Sequence, residues 1–134
     1  VNHALAERGL LDTSAVIDLA ELAADDLPAE CLISAITLAE LSVGALVATN
    51  ARQRAARQAH LQQAEADFDP VPFDAGCARA FGRVAASLRR SGRKPQARAY
   101  DALIAATAIA NDLPIYTRNA DDFDGIEGLT VHAV

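Results

Sequence analysis

At 134 residues and 14.1 kDa, with 51% hydrophobic and 22% charged residues, the chain has the size and composition of one folded domain, which excludes the disordered and fibrous classes. Its apolar runs fall far short of the ~20 residues of a membrane span, so a soluble, cytoplasmic protein with no membrane partner is expected. The net charge of −6 is unevenly spread: residues 75–100 hold Arg79, Arg83, Arg89, Arg90, Arg93, Lys94 and Arg98 with no acid, leaving five cations against eighteen acids elsewhere. A basic band of this kind suits phosphate, and an acidic remainder gathers cations.

Along the chain, residues 9–12 read as a first strand, and Ser14 as the N-cap of a helix reaching about Ala24. A second strand is expected over 30–34. The helix over 37–49 is apolar nearly all round and should be buried. Asn50 caps a polar helix over 51–67, the most exposed one, with a narrow inner stripe at Ala55, Ala59 and Leu61. Residues 71–73, between Pro70 and Pro72, suit an edge strand. Asp74 then caps a helix to about Ser91, with Gly92 at its C′ position and Arg89 and Arg90 complementing its dipole. Residues 93–97 form a loop. A further apolar helix over 99–111 and strands over 114–117 and 129–132 complete the pattern.

This alternation predicts an α/β domain, a central, mostly parallel, twisted sheet of four to five strands with helices on both faces. In such sheets ligands bind at the carboxyl ends of the strands, at a topological switch point. Cys31 and Cys77 lack C-x-x-C spacing and read as small buried hydrophobes in a reducing compartment.

Three acids stand alone in apolar runs. Asp12 is the only charge between Arg8 and Asp18, Glu40 between Glu30 and Arg52, and Asp101 between Arg98 and Asp112. On its helix Glu40 lines up with Ile36, Val43 and Val47, and Asp101 with Ile104, Ala105 and Ala108. An unpaired buried carboxylate costs several kcal/mol, so each must be protonated, paired or gathered around a cation. Taken singly, each has an ordinary explanation: a helix cap for Asp12, a first-turn acid for Asp101, an Arg partner for Glu40. Taken together, a shared cation is simpler, and oxygen donors without clustered His or Cys select Mg²⁺ or Mn²⁺. A fourth acidic candidate follows the strand over 114–117, where Asp121, Asp122 and Asp124 crowd one turn.

The segments Leu11-Asp12-Thr13-Ser14, Thr37-Leu38-Ala39-Glu40-Leu41, Tyr100-Asp101-Ala102-Leu103-Ile104-Ala105-Ala106 and Thr117-Arg118-Asn119-x-x-Asp122-Phe123 resemble the PIN domain. More narrowly, the chain is similar to the VapC toxins of bacterial toxin–antitoxin pairs, over residues 11–123. The resemblance implies a single PIN domain over 1–134 and a Mg²⁺- or Mn²⁺-dependent endoribonuclease. Such toxins are commonly homodimers held inactive by a VapB-like antitoxin. It further implies catalytic and metal-binding roles for Asp12, Glu40 and Asp101, with Asp122 in the fourth position and Asp121 or Asn119 as alternatives. Thr13 and Ser14 match hydroxyls near the metal or scissile phosphate, and Arg118 and Asn119 match RNA contacts. The acidic remainder would attract a basic antitoxin residue, and the helices over 37–49 and from 51 onward could form its groove. Two other readings share these residues: a PIN nuclease that processes RNA without being a toxin, and a PIN-like RNA- or antitoxin-binding module with little turnover.

Overall fold

The computed structural model describes residues 7–94 and 98–134. Four strands, β1 (Arg8–Leu11), β2 (Glu30–Leu32), β3 (Ile115–Thr117) and β4 (Val131–Ala133), form one sheet in the order β2-β1-β3-β4. Every pairing is parallel, with Leu10 opposite Leu32 on one side and Ile115 on the other. Because the chain leaves β1 toward β2 and later returns to β1's other edge as β3, the switch point lies between β1 and β3.

Among the described residues five α-helices cover the two faces: α1 (Thr13–Ile17), α2 (Ala35–Leu46), α3 (Ala51–Asp67), α4 (Ala75–Arg90) and α5 (Ala99–Ala110). Alternation along the strands divides the core. Leu10 and Ile115 pack with Val84 and Leu88 of α4 and Ile104 of α5, while Leu11 and Tyr116 pack with Val16, Leu41 and Ala64 of α1, α2 and α3.

Several expectations are corrected. The N-cap of α1 is Asp12 and not Ser14, because the Asp12 carboxylate accepts the Ala15 N–H; the helix stops at Ile17, where Asp18 caps it, and two short 3-10 turns take over its expected second half. Residues 71–73 are not a strand. Between Pro70 and Pro72, Val71 makes one parallel bridge to Ser34, since neither proline can donate to a ladder. On α3 the inner face is Arg57, Leu61 and Ala64, with Ala55 and Ala59 exposed. Long polar side chains line that face because the Arg57 guanidinium can reach out to the Gly44 carbonyl at 2.9 Å. Nor is α2 buried all round: Thr37, Leu41 and Ala45 are, but Val43, Leu46 and Val47 face outward, Leu46 being 81% exposed. The expected loop over 93–97 lies partly outside the described residues.

The end of α4 follows its sequence signals. Gly92 adopts φ 82°, its N–H bonding the Arg89 carbonyl while the Arg93 N–H bonds that of Leu88. This is the Schellman arrangement.

At Gly9 the requirement is space. A Cβ there would lie 2.5 Å from Tyr116 Cε1 and 2.9 Å from Pro28 Cγ, and the Tyr116 ring is itself held by stacking on His132 at 4.7 Å. Gly9→Ala should therefore destabilise the protein by about 1–3 kcal/mol through overpacking, read as a lower Tm. An unchanged Tm would show that the ring yields freely.

Candidate active site

The carboxyl ends of β1 and β3 meet at Asp12, the residue that ends the first strand and begins α1. Its side chain is almost wholly buried, at 4% exposure. Oδ1 accepts the Ala15 N–H at 3.0 Å and the Ser14 hydroxyl at 2.7 Å, and Oδ2 accepts the Thr117 hydroxyl at 2.6 Å. Burial pushes the Asp12 carboxyl above its ordinary pKa, and these donors pull it partly back. Thr117 in turn accepts the Asn119 N–H at 2.9 Å, and Ser14 the Arg118 N–H at 3.1 Å, so the turn after β3 is fastened to the start of α1.

Glu40 comes from the second turn of α2. Thr13 donates its hydroxyl proton to Glu40 Oε1 at 2.6 Å, with the buried Thr37 hydroxyl 3.1 Å from Thr13 Oγ1. Burial raises the Glu40 pKa first, and the charge of Asp12 adds to it. Asp101 sits in the first turn of α5, on the apolar helix facing the sheet. Its pKa is pushed up to about 6, first by burial and then by the charges of Asp122, Glu40 and Asp12, against which Arg98 acts. The fourth acid, Asp122, belongs to the 3-10 turn Ala120–Phe123. Its charge acts on both Asp12 and Asp101, whereas Asp121 is exposed. Asp101 thus lies within electrostatic reach of Asp12, Glu40 and Asp122, and Asp12 within that of Glu40 and Asp122.

Their chemistry fits a hard divalent cation, since all donors are oxygens and their mutual repulsion would be relieved by positive charge. They are not pre-assembled as a cage: among the described residues no three Asp, Glu, His or Cys side chains form a group that could hold an ion as they stand. The sequence reading did not single out Thr117 or Thr37, although a hydroxyl closing a strand beside the first acid is a visible signal. Nor did it separate Arg98 from the basic band.

Arg118 lies 3.4 Å from Asp18, its Nε against Oδ2, and Asn119 is exposed. The basic band is partly neutralised, Arg90 by Glu127 at 3.1 Å, Arg93 by Asp124 at 3.7 Å and Arg98 by Asp122 and Asp101. Arg79, Arg83 and Arg89 stay exposed without an ion pair among the described residues. Beside Glu40 a cavity of about 280 Å³ is lined by Thr13, Ile17, Leu41, Arg57 and His60. It shares Ile17 and His60 with a second, more apolar one of about 370 Å³ that ends at Leu19 and Phe68.

A parallel α/β sheet whose switch point gathers four acids defines the class to which comparison gives a family. The PIN domain family matches residues 9–129, and the chain belongs to it. It is 37% identical over 123 residues to Ribonuclease VapC5 of Mycobacterium tuberculosis, covering 90% of this chain and 88% of the relative, and 36% identical over 101 residues to Ribonuclease VapC8 of the same species, covering 75% and 89%. Among solved structures it resembles VapBC-5, a member of the VapBC family of toxin–antitoxin systems from M. tuberculosis, with TM-score 0.81, 35% identity and coverage of 96% and 99%. VapBC2 from Rickettsia felis, bound to a DNA fragment from its promoter, matches with TM-score 0.72, 25% identity and coverage of 95% and 98%.

Proposed function

We propose that the protein is an endoribonuclease that cuts RNA at a Mg²⁺- or Mn²⁺-dependent site, and that it is the toxin of a toxin–antitoxin pair. The observation that carries this reading is the raising of the Asp12, Glu40 and Asp101 carboxyls above their ordinary pKa, by burial first and with neighbouring carboxylate charge adding to it, where β1, α2 and α5 converge. A bound divalent ion supplies a more acidic water and stabilises charge developing on the phosphate oxygens. Asp12 and Asp101 are its principal ligands. Glu40, held by Thr13, and Asp122 orient water or accept its proton. Ser14 and Thr13 lie beside the scissile phosphate, and Arg118 and Asn119 contact the RNA backbone beyond it. Incubation of the purified protein with total RNA tests this: cleavage should need Mg²⁺ or Mn²⁺ and stop with EDTA. Cleavage that persists in EDTA would overturn it.

Flanking RNA is held by the unpaired arginines of α4. Binding of an inactive variant to single-stranded RNA should weaken with salt at a log–log slope of about −0.7 for each phosphate neutralised. Joint replacement of Arg79, Arg83 and Arg89 by Ala should make that slope shallower, measured by fluorescence anisotropy. An unchanged slope would return α4 to an ordinary solvated face.

The partner is a VapB-like antitoxin. The two adjoining cavities from Phe68 past His60 to Glu40 offer apolar walls with Glu40 and Arg57 at one end, which fits an amphipathic segment whose basic side chain pairs with Glu40. The protein is further proposed to be a homodimer, for which the outward Val43, Leu46 and Val47 supply apolar surface.

A further inference from the structure

Arg98 occupies a position that helix physics disfavours. It is the N-cap of α5, with φ −128° and ψ 39°, and no side-chain hydrogen bond caps the helix there. N-caps favour Ser, Thr, Asp or Asn, and a cation at the positive end of the helix dipole is repelled. Its partners explain what the helix does not. The Arg98 guanidinium makes a short ion pair with Asp122, and its Nη1 lies 3.9 Å from Asp101 Oδ2. One nitrogen therefore bridges two of the four carboxylates, from α5 and from the 120–123 turn, and the charge of Asp121 acts on it too. A local rule broken at the edge of a site is most economically read as serving that site.

We propose that Arg98 is a built-in counter-cation, which holds the Asp101–Asp122 side of the site in the metal-free protein and competes with the divalent ion for it. The inference rests on the metal-dependent reading of the same acids. It also explains why those acids are not pre-assembled as ligands: Asp122 is committed to a guanidinium, whose fixed charge satisfies the two carboxylates that it reaches without drawing all four to one point. Ion binding then becomes an exchange of one cation for another, and Arg98 leaves with its charge free for an anionic partner such as an RNA phosphate.

The test is titration of Mn²⁺ into wild-type protein, Arg98→Gln and Arg98→Lys, with free Mn²⁺ read by electron paramagnetic resonance. Tm is measured in parallel in EDTA and in saturating Mn²⁺. Because the bridge is two partly exposed ion pairs, Arg98→Gln should bind Mn²⁺ about tenfold more tightly than wild type. Its Tm should fall in EDTA and recover in saturating Mn²⁺. Arg98→Lys keeps a charge on a shorter side chain that reaches the two carboxylates less well, so it should bind more tightly than wild type and less tightly than Arg98→Gln; if Arg98→Gln does not fold, this variant carries the comparison. Equal or weaker Mn²⁺ binding by the folded variants would overturn the proposal and make Arg98 a structural or positive contributor to the site. Asp12→Asn separates the two levels: if wild type and Asp12→Asn bind Mn²⁺ equally, the metal reading fails and Arg98 with it.

Discussion

Asp101→Asn is expected to lower metal-dependent RNA cleavage on the order of 10³-fold while making the metal-free protein more stable near neutral pH. The exchange removes a charge and little volume, so the fold should persist. The stability gain follows from the raised pKa of about 6, against an ordinary 3.8. A carboxyl that binds its proton more tightly in the folded state contributes stability that is full below pH 4 and is lost as pH rises through 6. With its side chain 25% exposed, that loss is about 2–3 kcal/mol. Asn never ionises and so avoids it. Melting in EDTA from pH 4 to pH 7.5 should show the Tm of the variant drawing above that of wild type as pH rises. Cleavage at the wild-type rate would remove Asp101 from the catalytic set, and a variant less stable at pH 7.5 would refute the account of its charge.

Asp12 should divide by substitution. Asp12→Asn keeps an oxygen for the Ala15 N–H, loses the charge and turns an N–H toward the Thr117 hydroxyl, which must then accept where it now donates, so cleavage should fall about as far as for Asp101→Asn, with stability changed by about 1 kcal/mol. Asp12→Ala also removes the cap of α1 and strands the buried Thr117 hydroxyl, so about 2–4 kcal/mol of stability should go as well. Urea unfolding beside a cleavage assay checks both. Equal stability of the two variants would mean that the Asp12 hydrogen bonds do not hold β1, α1 and β3 together.

The acids were legible because isolation in an apolar run is a one-dimensional signal with a large energetic meaning. Asp12, Glu40 and Asp101 needed only the rule that buried charge must be compensated. The strands were legible for a similar reason, being short apolar runs bounded by turn residues. Less visible was whatever depends on partners distant in sequence. Nothing local says that Val71, set between prolines, gains one bridge from Ser34 instead of a strand. The inner face of α3 was misread because Arg57 and His60 count as polar by type, yet their stems line a cavity against α2. Arg98 looked like one more member of a basic band, since its pairing with Asp122 spans 24 positions and leaves no periodic trace. The apolar α2 read as a core helix because composition cannot distinguish burial in the fold from apolar side chains left facing outward, as Val43, Leu46 and Val47 are.

The pairing of β1 with β3 has a consequence for synthesis. Asp12 leaves the ribosome well before Thr117, whose hydroxyl fixes its Oδ2 and lies 105 positions later. Until that strand inserts beside β1, the first strand has only β2 as a neighbour, and the 120–123 turn bearing Asp122, which follows that strand, is not yet carried to the site. Long-range parallel pairing of this kind forms late and slowly. A growing chain is therefore catalytically latent until β3 is made, and a product truncated before β3 carries three of the acids without the frame that would turn them on the cell's own RNA.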